Sequence, residues 1–182
     1  MRSQPTDEPK DSSSLTLTDG TRVPVRTIRP DDVAALQRFH NRLSDQSIRL
    51  RFFGSIENLS DQKAKYFAHA DGVDHFALVA LDPDGPEEIT AVVRYDREAG
   101  SDRAEYAALV EDRWQGRGLG IGLTHQLVDA AWDNGIRHFY ALVMRENARM
   151  LKLLRSLNLP ERERREENAK YVEVDLEELD SK

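Results

Sequence analysis

Arg113-Trp114-Gln115-Gly116-Arg117-Gly118-Leu119-Gly120-Ile121-Gly122 decides how this 182-residue chain is read: four alternate glycines follow a strand-like segment and open a long helical pattern. Glycine takes positive φ without steric cost and lets the backbone come close to a ligand. A helix that starts there presents unpaired N–H groups and the positive end of its dipole to an anion. The stretch reads as a phosphate cradle. Two better-known phosphate loops do not fit it. A dinucleotide fingerprint needs a third glycine three residues after the second, but Ile121 holds that place after Gly116 and Gly118, and Leu123 after Gly118 and Gly120. A Walker loop ends in Gly-Lys-Ser/Thr, whereas Gly120 and Gly122 are followed by Ile121 and Leu123.

Working outward, an apolar strand from Arg103 to Val110 precedes the loop, and a helix from Gly118 to Asn134 follows, with Leu119, Leu123, Leu127 and Ala130/Ala131 on its core face. Asn134-Gly135 is its C-cap. A strand Arg137 to Met144 comes next, and Glu146-Asn147 opens another helix through Leu157. Upstream, Leu15 to Thr18 and Val23 to Ile28 alternate around Asp19-Gly20 as a hairpin. Asp31 is the expected N-cap of a helix carrying Val33, Leu36, Phe39, His40 and Leu43. Short helices cover Asp45 to Phe53 and Ser60 to about Ala68. His75 to Leu81 and Ile89 to Tyr95 form a second hairpin around Asp82 to Pro86. The very polar segment Glu161 to Lys170, of which Glu161 to Glu167 reads as a solvated charged face, leads to a last strand, Tyr171 to Leu176.

The length suits one domain with a proper core. Residues 15–176 are expected to be that domain, between a disordered tail 1–14 and a C-terminal tail 177–182. A net charge of −7 and a pI near 5.3 argue against a nucleic-acid partner and for a basic one. The absence of cysteine rules out disulfides, thiolate metal sites and a cysteine nucleophile. There is no apolar run of membrane-spanning length and no signal-peptide core, so the expected location is cytoplasmic, with no membrane role. His69, Asp71, Asp74 and His75 lack a known ligand spacing, and no metal is expected.

Gln115-x-x-Gly118-x-Gly120, in its strand–loop–helix–strand–helix setting, resembles the signature of the GNAT superfamily of acyl-CoA-dependent N-acyltransferases. The resemblance implies an α/β (α+β) GNAT fold: a mixed, mostly antiparallel central sheet flanked by helices, with a splayed strand before the pyrophosphate loop. It implies acetyl-CoA as co-substrate, its pyrophosphate bound by backbone amides of Gln115, Gly116, Arg117, Gly118, Leu119, Gly120 and Ile121. Leu109, Val110 and Glu111 would line the pantetheine arm, an amide there serving the oxyanion. Asn147 matches an asparagine that contacts pantetheine, although it also suits an ordinary N-cap. Arg117, inside the loop, is the expected side-chain contact to phosphate, while Arg113 suits either phosphate or solvent. Glu105 matches the catalytic glutamate of the lysine-acetylating members, which often works through a water. On its own chemistry, a carboxylate in this apolar strand is either a partly desolvated base with a raised pKa or an exposed strand residue. Leu154 stands where many small-molecule members carry a tyrosine general acid, and Asn158 where a glycine is usual.

Thr18-Asp19-Gly20, Ile28-Arg29-Pro30-Asp31-Asp32 and Leu43 to Phe53 resemble the GNAT domain of bacterial Pat-type protein lysine acetyltransferases, which acetylate acyl-CoA synthetases and occur fused to synthetase-like or cyclic-nucleotide-binding domains. Neither fused domain occurs in these 182 residues. The reading is therefore acetyl transfer from acetyl-CoA to a lysine on a protein such as an acyl-CoA synthetase. The alternatives are an N-acetyltransferase for a small amine and a non-catalytic acyl-CoA-binding regulatory module.

Overall fold

A computed structural model describes residues 12–54 and 58–177. Eight strands form one sheet in the order β1-β2-β3-β4-β5-β6-β8-β7. They are β1 (Ser12–Thr16), β2 (Arg22–Thr27), β3 (His75–Asp82), β4 (Gly85–Arg97), β5 (Arg103–Val110), β6 (His138–Met144), β7 (Glu161–Arg165) and β8 (Ala169–Asp175). All neighbours run antiparallel except β5 and β6. The helices are α1 (Val33–Arg42), α2 (Asp45–Phe52), α3 (Asp61–Ala68), α4 (Leu119–Asp133) and α5 (Ala148–Ser156).

Period-2 alternation along the strands sends apolar side chains to both faces, and each face has its own core. On one side Leu119, Leu123, Leu127, Val128 and Ala131 of α4, with Leu151 and Leu154 of α5, pack on Tyr95, Tyr106, Ala108, Phe139 and Val143. On the other, Leu36 and Phe39 of α1, Ile48 of α2 and Ala64 of α3 cover Ala77, Val79, Leu81 and Ile89. The parallel junction positions the site. Pairing of β5 with β6 covers only Arg103↔His138, Ala104↔Phe139 and Glu105↔Tyr140, so the two strands splay from Tyr106 onward.

Several local expectations change. Strand β1 begins at Ser12, so Ser12–Ser14 belong to the sheet rather than to the tail; residues 1–11, and 178–182 of the C-terminal tail, lie outside the described residues. Asp31 is exposed and is not the cap. Asp32 turns inward instead, accepting the Arg29 N–H (2.8 Å) and a bidentate pair from Arg26 (2.7 and 2.8 Å). Ser44, Ser60 and Asn147 cap α2, α3 and α5, each accepting an N–H from the first turn. The charged stretch Glu161–Arg165 is a strand. Its alternate charges sit at the sheet edge, where backbone pairing to β8 needs no apolar side chain and the charges discourage further pairing.

Candidate active site

The splay opens a cleft of about 800 Å³ between β5 and β6, closed at one end by the glycine loop and flanked by α2 and α5. Glu111 donates its N–H to Thr90 O (2.9 Å), a rung that puts the odd residues of β5 in hydrogen-bonded register with β4. Alternation then turns the N–H and C=O groups of Tyr106, Ala108 and Val110 toward β6. Below the splay β6 meets that side of the strand, and His138 N–H reaches Asp102 O (3.2 Å). Above it the backbone groups face the cleft, apart from Val110 O, which accepts from Gln115 Nε2 (2.9 Å). The strand thus leaves unspent amides along the cleft wall.

Gly116 (φ 72°) and Gly118 (φ 87°) give the loop its two left-handed bends, and Gly118 is the N-cap of α4 with no side-chain cap. The first amides of a 15-residue helix are therefore left for a ligand. Gly120 keeps the wall thin: a Cβ there would lie 3.1 Å from Leu153 Cδ1 and 3.5 Å from Val110 Cγ2. This cradle fits a pyrophosphate. Gln115, Gly116, Gly118, Leu119, Gly120, Ile121, Leu109, Val110 and Asn147 all line the cleft, while Arg117 and Glu111 do not.

Arg117 is committed elsewhere. Its guanidinium pairs with Asp19 (2.7 Å), approaches Thr21 and stacks 4.4 Å from the centre of the Trp114 ring. Hydrogen bonds from the Thr21 hydroxyl and amide and from Arg117 hold the Asp19 carboxyl at about 2, so this partner stays ionised. Arg117 pins the β1–β2 turn to the loop, its carbonyl accepting from the Thr18 amide (3.2 Å) and hydroxyl (3.1 Å). Arg113 is likewise engaged, with Asp82 (2.8 Å) and Glu111 (2.7 Å). Glu111, 4% exposed, also meets Arg42 (3.2 Å), so its role is to anchor the loop to α1 rather than to line the arm. Asp112 accepts from the Ser44 amide (3.0 Å) and from the Ser44 and Ser47 hydroxyls. Burial works against its charge, yet these bonds hold its carboxyl below the usual range.

Glu105 occupies the last paired rung, at the apex of the splay, in register with Tyr140 and Asp96. It lies on the face opposite α4 and is exposed, not desolvated, and it does not line the cleft wall. The expectation of a partly buried carboxylate fails because β6 and β8 carry no helix over this face: Leu142 is 49% exposed, and Tyr140 and Tyr171 stack there at 5.8 Å. Arg51 is close enough for its charge to act on Glu105. Leu154 is buried in the α4–α5 core and offers no proton. Tyr106 lines the cleft, but burial pushes its hydroxyl pKa well up and its OH is shared with Thr124 (2.8 Å).

Several cleft residues were not singled out in the sequence: Ser47, Leu50 and Arg51 from α2, Ala141 to Val143 from β6, and Arg149, Lys152 and Ser156 from α5. The α5 set was legible as one helical face at i, i+3 and i+7. The others required the tertiary fold. No group of three or more potential metal ligands gathers among the described residues, and no helix there is long and apolar enough to cross a membrane.

The acetyltransferase (GNAT) domain model matches residues 22–159. An acetyltransferase of Pseudomonas aeruginosa is 32% identical over 138 residues, 75% of this chain and 74% of that protein. Acetyltransferase Pat of Mycolicibacterium smegmatis is 30% identical over 71% of this chain, which spans only 39% of that protein. The crystal structure of the GNAT domain of S. lividans PAT superposes with a TM-score of 0.83 at 34% identity, covering 90% of this chain and 96% of that one.

Proposed function

Since the chain belongs to the GNAT acetyltransferase family, we propose that it moves the acetyl group of acetyl-CoA to a lysine side chain on a protein, an acyl-CoA synthetase being the favoured acceptor. One observation carries the choice of a protein acceptor: Glu105 sits at the apex of the splay on a face open to solvent, where a bulky partner has access. Likeness to the Pat proteins supports the same reading.

Acetyl-CoA supplies an activated thioester. The amides of Gly118, Leu119, Gly120 and Ile121 hold its pyrophosphate at the α4 N-terminus. Free amides at Ala108 and Val110 bind the pantetheine arm and stabilise the charge that develops on the carbonyl oxygen. Glu105, through a water of the open face, takes the proton of the attacking amine. Neither Leu154 nor Tyr106 gives a proton to the departing thiolate, so solvent does.

A competition assay tests the proposal. With acetyl-CoA, a synthetase from the same organism is expected to be acetylated on lysine much faster than spermidine or an aminoglycoside. If small amines outpace every protein offered, the small-amine reading replaces it. Binding of acetyl-CoA without turnover of any acceptor identifies a regulatory module.

A further inference from the structure

Phosphate ligands bring several negative charges, and a backbone cradle meets them only with dipoles. The two arginines of the loop are already engaged, Arg113 with Asp82 and Glu111 and Arg117 with Asp19. Among the described residues the cations lining the cleft are Arg51, Arg149 and Lys152, and none has a carboxylate partner there. Arg51 lies at the other end, between the cleft and an apolar cavity beneath α1 and α3 that Phe52, Phe67 and Ala107 line. Arg149 and Lys152 stand one turn apart on α5 and share their face with Leu153 and Ser156.

That face abuts the cradle, since Leu153 Cδ1 is the atom nearest the missing Cβ of Gly120. The acidic neighbour at the start of α5, Glu146, spends its charge on Arg49 (2.5 Å) and leaves the pair unopposed. Both side chains are exposed, which suits long cations reaching for a solvent-facing phosphate monoester.

We propose that Arg149 and Lys152 form a side-chain clamp for the 3′-phosphate of coenzyme A, beside the backbone cradle that takes the pyrophosphate. The clamp sets the affinity for coenzyme A against ligands without that phosphate. It rests on acetyl-CoA being the donor.

Titration calorimetry with coenzyme A and 3′-dephospho-coenzyme A tests it on the wild type, Arg149→Ala, Lys152→Ala and the double variant, circular dichroism confirming that each is folded. The wild type is expected to prefer coenzyme A about tenfold or more, the scale of a charge-assisted contact. The double variant should lose that preference while binding the dephospho form as the wild type does. Lys152→Glu should reverse the preference. Equal weakening toward both ligands, or a wild type that does not distinguish them, overturns the clamp while leaving the donor reading intact. If neither ligand binds the wild type, the donor reading itself fails.

Discussion

Glu105 makes the sharpest prediction at the scale of single residues. A positioned general base contributes ~10²–10⁴-fold, so Glu105→Gln should cut turnover by about that range while acetyl-CoA affinity holds, because the loop and β5 amides bind the donor. A variant keeping more than about half the wild-type rate would remove Glu105 from the mechanism, since that is under ~0.4 kcal/mol of transition-state stabilisation. Gly118 is held at φ 87° with Thr18 Cγ2 at 3.3 Å from its notional Cβ. Gly118→Val carries a strain of about 1–3 kcal/mol there, so the free protein should melt lower and, once folded, show no stabilisation by acetyl-CoA. Retention of the full ligand-induced shift would sink the cradle. Arg117 runs the other way: with its guanidinium committed to Asp19 and Trp114, Arg117→Ala should weaken acetyl-CoA binding less than about fivefold, within what exposed ion pairs contribute. A hundredfold loss measured by calorimetry would restore it as a phosphate ligand.

Between elements, buried charge ties the loop to the helical layer. Glu111 joins Arg42 of α1 to Arg113, and Arg42 continues to Glu88 (2.6 Å) and Ile89 O (2.7 Å). Glu111→Ala removes the buried carboxylate that the two guanidiniums share, but Arg113 keeps Asp82 and Arg42 keeps Glu88 and Ile89 O, so the cost is about 1 kcal/mol. Urea denaturation should show that loss, while acetyl-CoA still saturates the folded fraction at a similar concentration. An unchanged midpoint would mean the network is ornamental. The pair Arg49–Glu146 links α2 to the turn before α5 across the cleft mouth. Exposed on both sides, it is expected to bear on acceptor approach more than on stability.

For the molecule as a whole, sensitivity to acid comes from its carboxylates. Asp19, Asp32, Asp71, Asp112, Glu146 and Glu163 all have carboxyl pKa values below their ordinary ones. For Asp32, burial opposes this but the hydrogen bonds from Arg26 and Arg29 prevail; for Glu163 the bond from Lys170 leads, then that from Arg155. A depressed folded value means the unfolded chain binds the proton first. The stabilisation is complete above the unfolded values of about 3.9 and 4.3 and is lost as pH falls through the lower folded ones. Thermal melts should therefore be nearly flat between about pH 8 and 6 and fall steeply below about pH 4. A melting temperature that rises on acidification would contradict the assignment of these partners.

Glycine spacing, helical periodicity and capping residues are local properties, so the sequence by itself determined the loop, the helix after it, the caps at Ser60 and Asn147, and through them the family. The same locality explains the errors. Glu161–Arg165 has no apolar pattern, and its strand exists because β8 offers a backbone edge to pair with. Arg117 and Asp19 are remote in sequence, and only the packing of the β1–β2 turn against the loop lets one neutralise the other. The exposure of Glu105 depends on which sheet face lacks a helix, and the cations of α5 become a site only where Leu153 meets Gly120. Spacing specifies which backbone is able to bind an anion. Which charges remain free to join it is decided by long-range pairing, because a salt bridge between distant residues spends a cation that the sequence alone leaves unassigned.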